Sequence, residues 1–480
     1  MTILFINLDR FGFPRVGVMC LVSALKQKGH TVALAHACDG LDAVAKCFSE
    51  FKPDIVGYSL MTGEHAKILE FNQELKARFT FLSVFGGPHP TFFPSFINED
   101  GCDAVCVGEG DYAFPEFCQR VASGGNYWET PNFLVRYQGQ VFTNELMPLV
   151  ANLDDLPAPD RETLYAEDAY LRDEPSKSFM ATRGCPYKCT YCFNNMYNTL
   201  YRGKGKIVRG RSPQRVVDEI LEVKAKYPLS QVGFLDDSFL SQSPGWFDSF
   251  CELYKRKIGL PFTCNVRANM VREAVLTKLK DAGLTTVWMG VECGDEDIAN
   301  DVLKRQLSNE QILKAARIIK KLGIKLVTQN LIGLPVANSY EADLKTLDLN
   351  INLQPDFAWS SILYPYPGTP IAEHAAANGF LCPGTQGFLE TNKRYSSLKF
   401  SPEEKVRIEH LHKLFGVIVN FPWLRRFVKP LTGLPLSGFY RFVFYAWYGY
   451  CIKVKTNSDA SVLKEVVRNA GLFMRMLRKG

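Results

Sequence analysis

The chain of 480 residues contains no run of eighteen or more apolar residues free of charge, which excludes a confident membrane span. It has no basic leader: the opening MTILFINLDRF meets Asp9 after a short apolar run, which fits a buried first strand better than a signal peptide. Low-complexity tracts and short-period repeats are absent too. With 46% apolar and 22% charged residues, the composition excludes a wholly disordered chain. Fourteen cysteines are scattered without a secretory leader, so a disulfide framework is not expected. A reducing cytoplasm is the expected setting, with most thiols simply buried. The basic residues match no recognisable nucleic-acid-binding module, and nucleic acid is not expected as a partner.

What is present is length, charge asymmetry and two runs of alternating elements. At roughly 150 residues per domain the length predicts about three domains. The net charge of +6 is uneven: residues 395–480 hold 15 Lys/Arg against 5 Asp/Glu, or +10, leaving 41 against 45, or −4, elsewhere. Such a tail suits an anionic surface or an acidic substrate, and equally a solvated helical face.

The first ~145 residues alternate apolar strand candidates with helical patterns, which predicts a doubly wound, Rossmann-like parallel sheet. The strands are Ile3–Asn7, Thr31–Ala35, Ile55–Tyr58, Leu82–Gly86 and Ala104–Val107. Ligands of such sheets sit at the carboxyl ends of the strands, here marked by Ser59, Gly86-Gly87 and Gly108-Glu109-Gly110. A polar, proline-bearing linker occupies 146–177. A second α/β series over 178–375 has six strand candidates, near Ser178–Thr182, Gln231–Leu235, Phe262–Asn265, Thr286–Gly290, Lys325–Leu331 and Asp356–Ile362. This predicts a partial (β/α)6 TIM-like barrel with its chemistry at the C-terminal strand ends. Residues 376–480 read as helical, basic and aromatic, most of all over 421–453.

One constellation carries chemistry. Cys185, Cys189 and Cys192 stand at C-x3-C-x2-C spacing just after a predicted strand. Three thiolates on one loop can hold three irons of a cubane cluster and leave the fourth iron open. Zinc and inert thiols are the alternatives; structural zinc takes four ligands, and no fourth follows within a dozen residues.

The stretch RGCPYKCTYC resembles the radical S-adenosylmethionine (radical SAM) superfamily, in the branch that joins this barrel to an N-terminal cobalamin-binding domain. The likeness extends over about 375 residues through GGPHPT (86–91), VGEGD (107–111), LDDLPAPD (153–160), FLDDSF (234–239), GVECG (290–294), LIGLP (331–335) and YPGTP (366–370). The resemblance implies that Cys185, Cys189 and Cys192 bind a [4Fe–4S] cluster whose open iron takes the amino and carboxylate groups of S-adenosylmethionine. It further implies cofactor contacts for Tyr191 near the adenine, Asp236 after the second strand, Arg267 at the methionine carboxylate and Glu292 at a ribose hydroxyl or the amino group. Each of these four also has a plain reading, as loop packing for Tyr191 and ion-pairing for the others. Cys293 departs from the family's usual serine and reads as a packing substitution.

Cobalamin domains ordinarily carry Asp-x-His-x-x-Gly after the first strand. Here Asn7–Pro14 holds no histidine. Either cobalamin binds without that ligand, the favoured reading, or the domain has lost it. His89 is the nearest histidine and is not assigned as a ligand. The expected activity is a cobalamin-dependent radical SAM methyltransferase acting on an unactivated carbon. A radical cyclase, ring-rearranging or oxidising enzyme with the same cofactors is the alternative, and a non-catalytic cobalamin/iron–sulfur sensor is a more distant one. Expected partners are a small-molecule substrate, apolar in the favoured case, and an electron donor such as flavodoxin or ferredoxin. The stretch 421–453 adds peripheral membrane contact to an otherwise cytoplasmic location.

Overall fold

The computed structural model describes residues 1–10, 14–381, 396–451 and 455. The chain folds into two compact units. One comprises Met1–Pro175 with Met196–Arg211 and Glu222–Leu229, and the other Ser176–Asn195, Ser212–Leu221 and Ser230–Gly480.

In the first unit, apolar runs become the strands β1 (Thr2–Asn7), β2 (Thr31–His36), β3 (Ile55–Ser59), β4 (Leu82–Gly86) and β5 (Ala104–Cys106). All five pair in parallel, in the order β2-β1-β3-β4-β5, which reverses direction at β1. Helices cover both faces, so β1 is apolar at successive positions instead of alternating. Its side chains still divide by period two: Ile3 and Phe5 enter one core with Val22, Leu25 and Phe117. Leu4 and Ile6 enter the other with Phe48, Val56 and Ile68.

The sheet continues into a hairpin absent from the sequence reading, β6 (Phe133–Tyr137) and β7 (Gln140–Thr143), with β6 antiparallel to β5. Gln138 and Gly139 join the two strands with φ of 49° and 79°, the double positive that a tight two-residue hairpin requires. The proline-bearing segment after the hairpin lies against the same unit. Asp160 N–H donates to the Met19 carbonyl at 3.0 Å, and Leu164 and Tyr165 are buried in the first of the two cores.

The second unit is built on β8 (Ser176–Phe179), β9 (Gln231–Phe234), β10 (Phe262–Val266), β11 (Leu284–Glu292), β12 (Lys325–Ile332) and β13 (Phe357–Ile362). Every pairing is parallel and the strands stand in chain order. This is the expected half-barrel, in which each strand–helix step adds to one growing edge. The last edge is covered by the helix Pro402–Asn420, whose Ile408, Leu411, Phe415 and Ile418 pack with Ile332, Ala358 and Ile362. Gly416 lets this helix touch the strand, since a Cβ there would stand 3.0 Å from the Ala358 carbonyl oxygen.

Short helical segments follow at Val428–Gly433 and Ser437–Tyr450. The remainder of the helical region expected from sequence, 382–395, 452–454 and 456–480, lies outside the described residues. Among the described residues no helix is long and apolar enough to cross a membrane.

Candidate active site

The cysteine loop leaves the carboxyl end of β8, and the chain fixes it at several points. Thr190 donates its N–H to the Leu303 carbonyl at 3.1 Å and its hydroxyl to Val302 O at 2.8 Å. Cys192 N–H donates to Cys189 O at 3.2 Å, closing a turn that brings the second and third cysteines together. Cys189 is buried, whereas Cys185 and Cys192 are half-buried. Burial pushes the Cys185 thiol up and the Cys192 thiol to about 12, and the Asp237 charge adds to both.

A guanidinium absent from the sequence reading organises the neighbours of this loop. Arg305 is 5% exposed, and its Nη1 lies 3.0 Å from Tyr191 Oη, 3.9 Å from Cys189 Sγ and 3.9 Å from Glu292 Oε1. Its Nη2 donates to the Gly290 carbonyl. Burial raises the Glu292 carboxyl and the Arg305 cation opposes that rise.

Glu292 ends β11 at φ 67°, beside a register shift between Gly290 and Glu292. A non-glycine residue in the left-handed region next to a bulge is strained, and here the strain turns the side chain back over the strand. Gly290 makes the turn possible, since a Cβ on it would lie 2.6 Å from Glu292 Oε1. Arg267 stacks on the Tyr187 ring at 3.7 Å and donates to the Arg305 carbonyl, while its Nε has no hydrogen-bond partner among the described residues. The structure therefore gathers Tyr191, Arg267 and Glu292 around Cys189, with Arg305 as their common contact.

Asp236 behaves differently. It is fully buried, and its carboxylate accepts from Ala181 N–H at 3.0 Å, from Thr182 N–H and from the Thr182 hydroxyl at 2.5 Å. Burial outweighs these bonds and raises its pKa to about 6. The carboxylate thus fastens the strand that leads into the cysteine loop. Its neighbour Asp237 is exposed, and the Asn194 side chain, which also approaches Cys192 Sγ at 3.7 Å, hydrogen-bonds it. The alternation Val232, Phe234, Asp236 inward and Leu235, Asp237 outward continues the period of β9 past its end.

In the first unit the loops after β3, β4 and β5 hold one another. Leu60 N–H donates to Gly86 O at 2.8 Å, His89 N–H to Leu60 O at 3.0 Å, and Gly108 N–H to Thr91 Oγ1 at 3.0 Å. Gly87, at φ 89°, abuts Ser59: a Cβ there would lie 2.9 Å from Ser59 Oγ and from Leu60 N. Gly108, at φ 78°, lies beneath Tyr201, whose hydroxyl would be 1.9 Å from a Cβ and accepts from Glu109 N–H at 2.9 Å. The Glu109 carboxylate pairs with Arg209 through both oxygens, at 2.8 and 2.9 Å, and accepts from Val150 N–H.

Gly110 packs on Leu21, with 3.0 Å left for a Cβ, whereas Gly86 meets only ordinary contacts. His89 is buried, stacked on His65 at 4.0 Å, and within 3.2 Å of the Thr62 hydroxyl. Burial and then the His65 charge lower its pKa to about 4, so it stays neutral.

Comparison with known proteins bears on both units. Residues 180–346 match the family model of the radical SAM superfamily, and residues 9–118 match that of the B12 binding domain. The chain belongs to the radical SAM superfamily and carries a B12-binding domain. It is 28% identical over 382 residues to an uncharacterized methyltransferase, PH0819, of Pyrococcus horikoshii, covering 77% of this chain and 80% of that protein. It is 28% identical over 377 residues to the anaerobic magnesium-protoporphyrin IX monomethyl ester cyclase of Rubrivivax gelatinosus, covering 74% of this chain and 65% of that protein. The solved cobalamin-dependent radical enzyme OxsB, with aqua-cobalamin and S-adenosylmethionine bound, shares the fold. Its TM-score is 0.69 at 16% identity, over 99% of this chain and 75% of that one.

A radical SAM domain takes a [4Fe–4S] cluster and S-adenosylmethionine, and a B12-binding domain takes cobalamin. Residues of this radical SAM protein fit the cluster. N–H donors of Arg305 and Asn194 point at the Cys189 and Cys192 sulfurs, and such donors stabilise thiolates bound to iron. Among the described residues no three His, Cys, Asp or Glu side chains converge as ligands of one metal ion. The unpartnered Arg267 Nε provides a free donor for a carboxylate. For cobalamin, the fit rests on the parallel sheet with its order reversal at β1. The loop position where the histidine would stand, Phe11, lies outside the described residues.

Proposed function

We propose that the protein is a cobalamin-dependent radical SAM methyltransferase acting on an unactivated carbon of a small, apolar substrate. The observation that carries this reading is the buried group of Arg305, Glu292 and Tyr191 against Cys189, in a chain whose B12-binding unit has no histidine over residues 7–14. When bound, the cofactors supply the hydrogen-abstracting radical and the methyl group.

The chain's own residues hold and orient. Cys185, Cys189 and Cys192 ligate the cluster. Arg267 receives the methionine carboxylate, and Glu292 and Tyr191 receive the ribose and adenine. Asp237, exposed on the side of β9 opposite Asp236, presents a carboxylate to the amino group. Arg305 keeps Tyr191 and Glu292 in register with Cys189. Ser59 and Gly86 approach cobalamin, while Gly87, Gly108 and Gly110 allow their loops to close, with Glu109 clamping the last of these through Arg209. A flavodoxin or ferredoxin delivers the electron, and residues 421–453 provide peripheral membrane contact.

Similarity to the magnesium-protoporphyrin ester cyclase supports a second reading, cyclisation with the same cofactors. An anaerobic product assay separates the two. Reconstituted protein with cobalamin, reductant, S-adenosylmethionine and an extract of apolar metabolites is expected to form 5′-deoxyadenosine and S-adenosylhomocysteine together. Deoxyadenosine alone moves the assignment to the cyclase. Neither product, from protein showing a complete cluster spectrum, refutes both.

A further inference from the structure

The cation beside the cysteine loop carries a charge that its contacts leave only partly compensated. Arg305 is 5% exposed, and a guanidinium stays protonated at every ordinary pH. Its Nη1 meets Tyr191 Oη and its Nη2 the Gly290 carbonyl, while Nε has no hydrogen-bond partner among the described residues. A buried charge in that condition is costly unless negative charge stands close by.

Two groups stand near enough to supply it. Glu292 Oε1 lies 3.9 Å from Nη1, beyond hydrogen-bond reach for an oxygen. Cys189 Sγ lies at the same 3.9 Å, where a larger sulfur still accepts. The placement is fixed by the backbone. Arg305 N–H donates to Ala299 O at 2.9 Å, and its carbonyl accepts from Arg267. Thr190, next to Cys189, bonds to Val302 and Leu303 just before the arginine. Cation and sulfur are therefore held against each other by the fold itself.

The three cysteines differ in this respect. Burial raises the Cys185 and Cys192 thiols, and the Asp237 charge raises them further. The positive side of the loop is Cys189. A cubane core with two positive charges, held by three thiolates, carries one net negative charge, and one added electron makes it two. A fixed cation beside a ligating sulfur favours the more negative form.

We propose that the buried positive charge of Arg305 raises the reduction potential of the cluster held by Cys185, Cys189 and Cys192. This goes beyond the positioning role given to Arg305 above and rests on the cluster assignment made there. The step is a one-electron reduction: the external donor is oxidised, the cluster is reduced, and no covalent bond forms or breaks. Its consequence is that a weaker donor suffices to charge the cluster.

The test is a redox titration of the full-length protein, reconstituted anaerobically with iron, sulfide and cobalamin. Dithionite and mediators set the potential, S-adenosylmethionine is left out, and the EPR signal of the reduced cluster is normalised to its absorbance. Arg305→Met is expected to lower the reduced-to-oxidised ratio at a fixed potential by about ten-fold, a midpoint about 59 mV lower. Arg305→Lys keeps the charge and should recover most of that difference. Because Arg305→Met strands an acid, the double variant Arg305→Met, Glu292→Gln is compared with Glu292→Gln alone, and should again lie lower by a similar amount. Loosening of the loop would instead admit water, which favours the more negative form and moves the midpoint upward. An unchanged or higher midpoint in both comparisons overturns the proposal. An Arg305→Lys midpoint as low as that of Arg305→Met also overturns it, by assigning the effect to hydrogen bonding and not to charge. Parent protein that assembles no cluster refutes the cluster assignment, and the proposal with it.

Discussion

Replacing Asp236 by alanine removes the acceptor of three buried donors at once, the N–H groups of Ala181 and Thr182 and the Thr182 hydroxyl. A buried donor left without a partner costs about 1–3 kcal/mol, so three cost about 6 kcal/mol at the midpoint. Against this stands the penalty of keeping the carboxylate charged in its site. A rise from 3.8 to about 6 corresponds to about 3 kcal/mol at neutral pH. The net expectation for Asp236→Ala is about 3 kcal/mol of lost local stability in the strand that enters the cysteine loop, which is about a hundred-fold faster amide exchange.

Asp236→Asn, which keeps an oxygen at the Oδ1 position, should stay within about 1 kcal/mol of the parent. The pH dependence has a definite sign. The folded protein holds the Asp236 proton more tightly than the unfolded chain, so this group's contribution to stability grows as pH falls from about 6 towards 4 and is lost as pH rises through that window. Asp236→Asn should lack it. Hydrogen exchange followed by mass spectrometry over residues 179–184, corrected for intrinsic rates, measures all three effects. Parent-like protection in Asp236→Ala would refute the reasoning, and so would loss of that protection in Asp237→Asn.

Cys189→Ala should abolish the iron–sulfur absorbance of anaerobically reconstituted protein while the far-ultraviolet circular dichroism stays unchanged; retained iron at full stoichiometry would defeat the cluster assignment. Arg305→Met strands the Glu292 carboxylate in a buried site and should lower stability by about 3–5 kcal/mol, with Glu292→Gln restoring much of the loss in the double variant. Thermal unfolding compares the single and double variants, and strictly additive losses would show that the two side chains are not coupled.

How much could be read in advance follows from which signals are local. Strands such as Ile3–Asn7 and Lys325–Leu331 announce themselves by apolar runs between helical patterns, and both sheets formed where those runs lie. The β6–β7 hairpin escaped notice because its turn, Gln138-Gly139, lacks the usual asparagine–glycine cue and its outer strand is largely exposed. Cys185, Cys189 and Cys192 are legible because their spacing is itself the chemistry. Arg305 is not, since it lies thirteen residues beyond Glu292 in a stretch without a motif, and only folding brings it to Cys189. The Asp236 and Asp237 carboxylates differ by strand alternation, the first facing the buried side with Val232 and Phe234 and the second facing outward with Leu235. Glu109 sits in a glycine-flanked string that suggests a ligand loop, while its actual partner, Arg209, is a hundred residues away.

That last pair limits how the protein can be taken apart. Glu109 and Arg209 are nearly or fully enclosed, with side chains 12% and 2% exposed, and Tyr201 stands directly over Gly108. Both Tyr201 and Arg209 come from the stretch that follows the third cysteine, although they complete the B12-binding unit. A fragment ending at the proline-rich segment would therefore leave a buried carboxylate without its counterion and a bare hollow above Gly108. Grafting this cobalamin unit onto another barrel would require residues 196–211 to travel with it, so the inheritable module is discontinuous in sequence.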